Sequence, residues 1–530
     1  MNPRRLRRPG PGGLPRAPFG LIDELNCYYD TPDEPNNIHL EVQAAGTLDD
    51  SALRQALAGA LAAAPRARAR MTAGHALRRR YTWEFPPVPD VDPLTRAVWS
   101  DENELAAART RFLASPPPLG TSPPVRLLLA SGPGTSCVIL NAHHAAMDGM
   151  SSLELLRDIA GRYRAIAGDP ACPGPSPISS GTASSGTASS GTASSSTASS
   201  GTASLSTASS GSVPESAGPA LPPAPRRGRV RALLPRPAAR IAPDRERRER
   251  LGGCGLRLLP VPGIPRAPGA TVNDTLIAAL IVTISRWNAA HRRPPGGITS
   301  AITRPIRITV PVNVRGPGVR GVAGNHSRIA TVTADPRTAS GDLSLLLAEV
   351  TRQTSALRQA RQRRASAGIL GRAPGWCPVA LKRLAVRFAL RVAGRVVCDT
   401  CMLTNLGNIA DPPWSGHRGP VRMSLTGPAH MPRGLSVGAL TADGQLQLGF
   451  RYRHALFDDA AAARFTAGFA AALADVTSGA GPPRCKGGNT SGSTAGDAQD
   501  SRLPGRQGLP HVLHRREPAV QPAPEARIPD

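Results

Sequence analysis

The sequence predicts a mixed α/β protein built as two halves, and three observations support this. Strand-like alternation and amphipathic helix patterns recur between residues 19 and 170 and again between residues 253 and 476. Residues 171–252, which separate them, lack the apolar side chains that a core requires. At 530 residues the chain is also too long for one ordinary domain.

The linker and both ends of the chain are predicted to be disordered. Residues 1–18 are rich in Arg, Pro and Gly, and residues 477–530 are polar and rich in Pro. The linker contains a pentapeptide repeat that begins at Gly181 and continues into Pro- and Arg-rich sequence. A five-residue period of small polar side chains matches no solenoid, so we expect a flexible connection.

Each half contains its own series of strands and helices. In the first half the predicted elements are a strand at 39–43, a helix capped by Asp49 or Asp50, strands at 125–130 and 137–140, and a helix opened by a capping box at 151–154 and ending near Gly168. In the second half they are a helix at 273–290 opened by Asn273 and Asp274, strands at 306–310 (ending at Pro311), 327–332, 402–406 and 445–452, and a helix at 458–473 capped by Asp458 and Asp459.

The charge of the chain is strongly positive, with 64 Lys and Arg against 37 Asp and Glu and a formal net charge of +27. Almost all of the basic residues are arginines, and many lie in the predicted arm and linker. No recognised nucleic-acid-binding motif accompanies them, so we expect no nucleic-acid partner. A basic surface should still attract nucleotides, phosphopantetheine carriers or anionic lipid.

The eight cysteines are scattered, and only Cys398 and Cys401 lie close together. A zinc site would need a second ligand pair, so we expect free thiols and no metal. No signal-peptide pattern opens the chain, and the longest apolar runs, such as 276–282, are too short to span a bilayer. We therefore expect a cytoplasmic monomer.

Four arginines recur at every fourth position from Arg383 to Arg395, and apolar residues alternate with them. On a helix this spacing makes a cationic stripe beside an apolar face. The pattern favours a surface helix with its charged side in solvent. The alternative is a docking site for an acidic carrier protein, CoA phosphates or a lipid surface, which would be a peripheral membrane contact.

The strongest chemical motif is His-His-Ala-Ala-Met-Asp-Gly, from His143 to Gly149. General-base catalysis on a hydroxyl or amine needs a group that titrates near neutrality, and histidine is the usual choice. The motif lies between a predicted strand and a predicted helix, where Asp148 could brace the loop and Gly149 could permit a tight turn. The N–H groups at the start of the helix could stabilise an oxyanion. The alternative is an ordinary surface loop.

This motif resembles the His-His-x-x-x-Asp-Gly motif of the CoA-dependent acyltransferase superfamily. That superfamily includes chloramphenicol acetyltransferase-like enzymes, nonribosomal-peptide condensation domains, and wax-ester-synthase-like acyltransferases. Other stretches resemble landmarks of the superfamily in the same order: residues 48–50 with 66–68, 273–275, 311–315, 324–325 and 404–407.

The resemblance implies a specific architecture and mechanism. The fold would be two chloramphenicol acetyltransferase-like subdomains, each a two-layer α/β sandwich, forming a V-shaped pseudo-dimer with a tunnel between them. The second histidine, His144, would be the general base, and Asp148 would be structural and pair with an arginine, for which Arg315 is the candidate. The supporting residues would include His143, which shapes the loop, and also Asn325 and Asn405.

The function implied by the resemblance is acyl transfer to a hydroxyl or amine. The co-substrate would be an acyl-CoA or acyl-phosphopantetheine thioester, with no permanently bound cofactor and no acyl-enzyme intermediate. The partners would be a small-molecule donor and acceptor, or an acyl or peptidyl carrier protein. Two alternatives stay open: a stand-alone condensation domain acting on carrier-bound substrates, and a catalytically degenerate binding protein of the same fold.

Overall fold

The structure is a computed structural model, which describes residues 13–74, 77–168, 237–244, 252–291, 304–313, 315, 324–362, 376–415 and 419–479. The predicted disorder at 1–12 and 480–530, and the repeat tract within 171–236, lie outside the described residues. The predicted mixed α/β class is confirmed.

Strands and helices alternate along both halves of the chain. The strands are β1 (Arg16–Pro18), β2 (Asn37–Ala45), β3 (Arg70–Met71), β4 (Thr82–Glu84), β5 (Leu94–Val98), β6 (Val125–Gly132), β7 (Thr135–His143), β8 (Cys254–Val261), β9 (Ile306–Asn313), β10 (Ser327–Ala334), β11 (Cys401–Ile409), β12 (Arg422–Thr426), β13 (Leu435–Ala442) and β14 (Gln445–Arg453). The helices are α1 (Leu21–Tyr29), α2 (Asp50–Ala63), α3 (Glu102–Ala114), α4 (Gly149–Ala167), α5 (Val272–His291), α6 (Pro336–Ser340), α7 (Leu343–Gln362), α8 (Val379–Val397) and α9 (Asp459–Ser478).

Two large sheets organise these elements. The first has five strands in the order β12-β2-β7-β6-β5, and the second has six in the order β10-β9-β11-β13-β14-β8. Helices α2 and α4 pack together on the first sheet, with α3 against its other face, while α5 and α9 pack together on the second. A small sheet, β1-β4-β3, lies beside the first. Apolar side chains at alternate strand positions are buried under these helices, as the sequence pattern predicts.

One strand from the second half completes the sheet of the first half. β12 pairs antiparallel with β2, with Leu425 opposite Leu40. To reach it, the chain crosses over β13 and β14, where Gly438 and Gly449 lie opposite each other. A Cβ atom at Gly438 would lie 1.9 Å from the carbonyl oxygen of Leu425, and one at Gly449 would lie 2.6 Å from it. The crossing therefore depends on these two glycines, because any side chain there would clash with the backbone.

The caps of three helices can be compared with the sequence predictions. The caps predicted at Asp49 and Asp458 are confirmed, because each carboxylate accepts a backbone N–H of the first turn. The capping box predicted at 151–154 is wrong, because α4 begins at Gly149 and its cap is Asp148, which accepts the N–H of Ser151. The earlier start puts the motif aspartate on the helix terminus.

Two segments that were predicted to be disordered are ordered. β1 pairs with β4, and Phe19 after it stacks on Trp83 at 4.0 Å between ring centroids. Residues 237–244, within the predicted linker, pack on the core of the second half, where Trp287 Nε1 donates to the carbonyl of Ala242 (2.8 Å). Residues 16–18 are held by main-chain pairing with β4, whereas residues 237–244 are held by four buried apolar side chains, Ala238, Ala239, Ile241 and Ala242. The strand predicted to end at Pro311 also continues through it to Asn313.

The orientation predicted for the arginine-rich helix is wrong. In α8 the apolar side faces solvent, while Lys382, Arg383 and Arg387 are half-buried against the protein. The physical reason is that this surface presents acceptors to cations: Arg387 donates to the carbonyls of Tyr28 and Asp30, and Lys382 donates to that of Arg79. The side chain of Arg395 lies outside the described part.

No helix within the described ranges is long and apolar enough to cross a bilayer. The cysteines in these ranges are free thiols, as predicted. The pair Cys398 and Cys401 forms no disulfide, and burial raises the pKa of the Cys401 thiol to about 12.

Candidate active site

The motif histidine His144 lies directly after β7, at the turn that leads into α4. Its backbone N–H donates to the carbonyl of Asn36 (2.8 Å), which ties the turn to the start of β2. The residues on both sides of it are fully buried, whereas His144 itself is half-buried. A rigid strand end thus holds a partly accessible imidazole.

The two adjacent histidines differ in surroundings, as the sequence predicts. His143 is buried, and its Nδ1 accepts the backbone N–H of Ala145 (3.1 Å). Its Nε2 therefore carries the proton and faces Asp30 Oδ2 at 3.4 Å. This contact is long and makes no well-aligned hydrogen bond. His143 contributes to the shape of the turn and is not accessible to a substrate.

Asp148 is the centre of a buried polar cluster. Arg315 donates from Nη1 to Oδ2 (3.0 Å) and from Nη2 to Oδ1 (2.9 Å), a bidentate pair between the two halves. The backbone N–H of His326 also donates to Oδ2 (2.9 Å). Burial alone would raise the pKa of Asp148, but the Arg315 guanidinium and these N–H groups hold it below its ordinary value of 3.8. Asp148 is therefore a fixed anion and is not a proton donor near neutrality.

Ser151, in the first turn of α4, extends this cluster. Its hydroxyl donates to the carbonyl of Gly324 (2.8 Å) and accepts from the Gly324 N–H (3.1 Å) and from Arg315 Nη2 (2.7 Å). Since its own N–H is bound by Asp148, this N–H is not available to an oxyanion. From sequence, Ser151 was predicted only as part of a helix cap, and this role was not predicted.

The carbonyls of the motif turn are also fixed. Arg66, from the Arg-x-Arg segment, donates to the carbonyl of Ala146 (3.1 Å), and Asn325 Nδ2 donates to that of Ala145 (2.9 Å). Asp23 of α1 accepts from both Arg66 (2.5 Å) and Asn325 (2.9 Å). The turn is thus clamped from both halves of the chain. Asp23 was not predicted, because glycine at the N-cap has no side chain to mark the start of α1; the Asp23 carboxylate accepts the N–H of Gly20 (3.0 Å).

Asn26 of α1 contacts His144 directly. Its Nδ2 donates to the His144 carbonyl (3.2 Å) and lies 3.5 Å from Nδ1 of the ring. Asn26 therefore positions both the imidazole and the turn that carries it. The sequence carried no signal for Asn26, because its position depends on how α1 packs.

The pKa of His144 is lowered from its ordinary value of 6.5, chiefly because burial disfavours the imidazolium. The charge of Asp148 and the nearby Asn325 side chain act in the opposite direction. Asn325 Oδ1 is buried and has no partner within the described residues, so it can accept a ring proton. Near pH 7 the imidazole is neutral and can accept a proton.

Two other predicted site residues have more local roles. Gly149 does not make a tight turn, as it is the first residue of α4; a Cβ there would lie 3.2 Å from Leu406 Cδ2, so its small size permits close packing of β11. Asn405 accepts the N–H of Gly407 (2.8 Å), which has a φ of +79°. This contact shapes an irregularity in β11 and does not reach His144. Among the described residues no cluster of His, Cys, Asp and Glu is placed to hold a metal ion.

Comparison with known proteins places this geometry in context. No family model matches the sequence. Uncharacterized proteins from two strains of Mycobacterium tuberculosis are 28% identical over 423 residues, which is 75% of this chain and 84% of each relative.

Solved structures with a similar fold include parts of nonribosomal peptide synthetases. The first condensation domain of the CDA synthetase has a TM-score of 0.54 at 16% identity, over 87% of this chain and 96% of that one. The first condensation domain of the calcium-dependent antibiotic synthetase, in complex with a substrate analogue, has a TM-score of 0.55 at 15% identity with the same coverage. The synthetase FmoA3 has a TM-score of 0.51 at 16% identity, over 90% of this chain and 44% of that one. These comparisons show the fold: the chain has the fold of condensation domains.

Proposed function

We propose that this protein is an acyltransferase that moves an acyl group from a CoA or carrier-protein thioester to a hydroxyl or amine, with His144 as the general base. The observation that carries the proposal is the clamped turn: Arg66, Asn325 and the Asp148–Arg315 pair hold a neutral, partly accessible imidazole in one position. Such positioning is what general-base catalysis requires.

The proposed reaction is direct transfer. Nε2 of His144 removes the proton from the acceptor as its oxygen or nitrogen attacks the thioester carbonyl. The tetrahedral oxyanion then collapses, the C–S bond breaks, and the thiolate takes the proton back from the imidazolium. Among the described residues Asn325 Oδ1 is buried without a partner, and its side chain raises the pKa of His144, which supports this assignment.

The test is acceptor-dependent thiol release from a panel of acyl-CoAs with mixed alcohols and amines. We expect His144→Gln to reduce the rate by about 10²–10⁴-fold, the usual contribution of a general base. The matched control is His291→Gln, since His291 stacks on Trp287 at the end of α5 and has no contact with the motif turn. Equal rates in wild type and His144→Gln would refute the proposal.

A second candidate is a stand-alone condensation reaction between carrier-bound substrates. The condensation-domain fold favours it. The two candidates can be separated by measuring transfer of the same acyl groups from CoA and from a phosphopantetheinylated carrier protein. His144-dependent transfer only from the carrier would select condensation, and binding of either donor without transfer would select a degenerate binding protein.

A further inference from the structure

Helix α8 presents an apolar face to solvent. This face comprises Ala380, Leu381, Leu384, Ala385, Phe388, Ala389 and Val392, all of them exposed. Leu384, Phe388 and Val392 are 65%, 65% and 64% exposed. Trp376, just before the helix, is 68% exposed. A contiguous stripe of this kind is unusual on a soluble surface and marks a contact with something apolar.

Cations border this face, and acidic residues are absent from its stretch of sequence. No Asp or Glu occurs between Glu349 and Asp399. Lys382, Arg383 and Arg387 lie along the inner border of the helix, and Arg391 is exposed beside Val392. Lys382 lies 3.9 Å from Glu24, but the three arginines have no such partner among the described residues, and a cationic border is complementary to an anionic surface.

A cationic cleft lies beneath the same helix. It has a volume of about 380 Å³ and is lined by Arg78, Arg383 and Arg387, together with Tyr81 and Leu384. Within the described ranges none of the three arginines forms an ion pair with a carboxylate: Arg78 and Arg387 donate to backbone carbonyls. Arg383 Nε is buried without a hydrogen-bond partner. Among the described residues, three guanidinium groups without an ion-paired carboxylate form a site suited to phosphate.

The electrostatics of the cleft agree with this. The pKa of Arg387 is lowered, first by burial and then by the charge of Arg383. An arriving anion would oppose the second effect, because its charge would offset the repulsion between the two guanidinium groups.

We propose that α8 is a membrane-docking helix that lies in the surface of an anionic phospholipid bilayer. The apolar face enters the boundary between headgroups and acyl chains, Trp376 lies at headgroup depth, and the arginine cleft receives a lipid phosphate. The apolar stripe and the cleft are adjacent through Leu384, which belongs to both. This inference does not depend on the catalytic role of His144.

The test is co-sedimentation of the full chain with vesicles of phosphatidylcholine alone or mixed with phosphatidylglycerol. We expect binding to the anionic vesicles that weakens with salt, and a loss of about tenfold or more in the double variant Leu384→Ser/Phe388→Ser. The matched control is Ile329→Ser/Leu345→Ser, because these residues are 71% and 63% exposed on β10 and α7. Thermal unfolding by circular dichroism establishes that each variant is folded.

A separate variant tests whether binding to the vesicles requires the positive charge of the cleft. Arg383→Gln should weaken binding to anionic vesicles several-fold, whereas Arg352→Gln, an exposed arginine on α7 paired with Glu349, should not. Failure of the wild type to bind anionic vesicles would overturn the proposal, as would equal binding to neutral ones. A dimer that dissociates in the Leu384→Ser/Phe388→Ser variant, or capture of an acidic carrier protein in place of vesicles, would also overturn it and assign the face to that partner.

Discussion

Arg315 and Asp148 are joined by two parallel hydrogen bonds of 3.0 and 2.9 Å, although 167 residues separate them in the chain. Asp148 begins α4 in the first half, and Arg315 follows β9 in the second. The pair therefore fixes the motif turn to the opposite half of the protein. It does so at Asp148, the last buried residue of the motif.

The Arg315–Asp148 pair should be worth far more than a surface pair. We expect Arg315→Gln to lower the free energy of unfolding by about 3–5 kcal/mol, because the Asp148 carboxylate would stay buried without its countercharge. Arg286→Gln is the matched control, since both partners of the Arg286–Asp475 pair are about 40% exposed and such pairs contribute about 1 kcal/mol or less. Urea denaturation measures both, and equal losses would contradict the expectation.

Asn325 should influence the pH dependence of the reaction. Its side chain raises the pKa of His144, so in Asn325→Ala the acid limb of the pH–rate profile should move to lower pH. The kcat should also fall by roughly tenfold or more as the imidazolium loses its acceptor. Asn408→Ala, an exposed asparagine on β11, is the control. A lower kcat with an unshifted limb would mean that Asn325 acts only by holding the Ala145 carbonyl.

The buried pair of Glu41 and Arg109 should make stability depend on acid. Burial alone would raise the pKa of Glu41. The side-chain hydrogen bond from His39 and the charge of Arg109 outweigh burial and lower this pKa from 4.5 to about 2. Its stabilisation is therefore present above pH 4.5 and is lost as pH falls toward 2. Arg109→Met should cost about 3–5 kcal/mol near neutrality. The difference from wild type should shrink in acid, where Glu41 becomes neutral in the variant.

Chemical denaturation of wild type and Arg109→Met across this pH range tests the sign of the effect. The double variant Arg109→Met/Glu41→Leu should recover much of the loss at neutral pH, because it leaves no unpaired charge buried. A stability difference that is independent of pH would show that Arg109 acts through packing alone.

The crossover of β12 should depend on Gly438. In Gly438→Ala the new Cβ would meet the Leu425 carbonyl at 1.9 Å, a backbone atom that can move only with the strand. We expect destabilisation of about 3 kcal/mol or more, the upper part of the range for overpacking. Gly468→Ala is the control: its Cβ would meet only Thr283 Cγ2 at 3.9 Å, and the helix should gain up to about 1 kcal/mol. Thermal unfolding that ranks the two variants in the opposite order would refute the role of the glycine.

Local patterns in the sequence were sufficient for most regular elements and for the central motif. Helices α2, α5 and α9, and the strands on either side of the motif, follow from apolar spacing and capping residues, which act over a few neighbouring positions. The ion pair between Arg315 and Asp148 was also expected, but from the resemblance to a superfamily and not from spacing. The catalytic role of His144 stays a prediction.

Tertiary packing decided the position of α1, the pairing of β12 and the orientation of α8, because each of these depends on contacts with distant parts of the chain. The sequence could not show that α1 brings Asp23 and Asn26 to the motif turn, because nothing local to those residues encodes which strand end they approach. Nor could it show that β12 joins the first sheet, since strand pairing is set by register and long-range contacts. For α8 the sequence determined the two faces, but the carbonyls around Tyr28 determined which face turned inward.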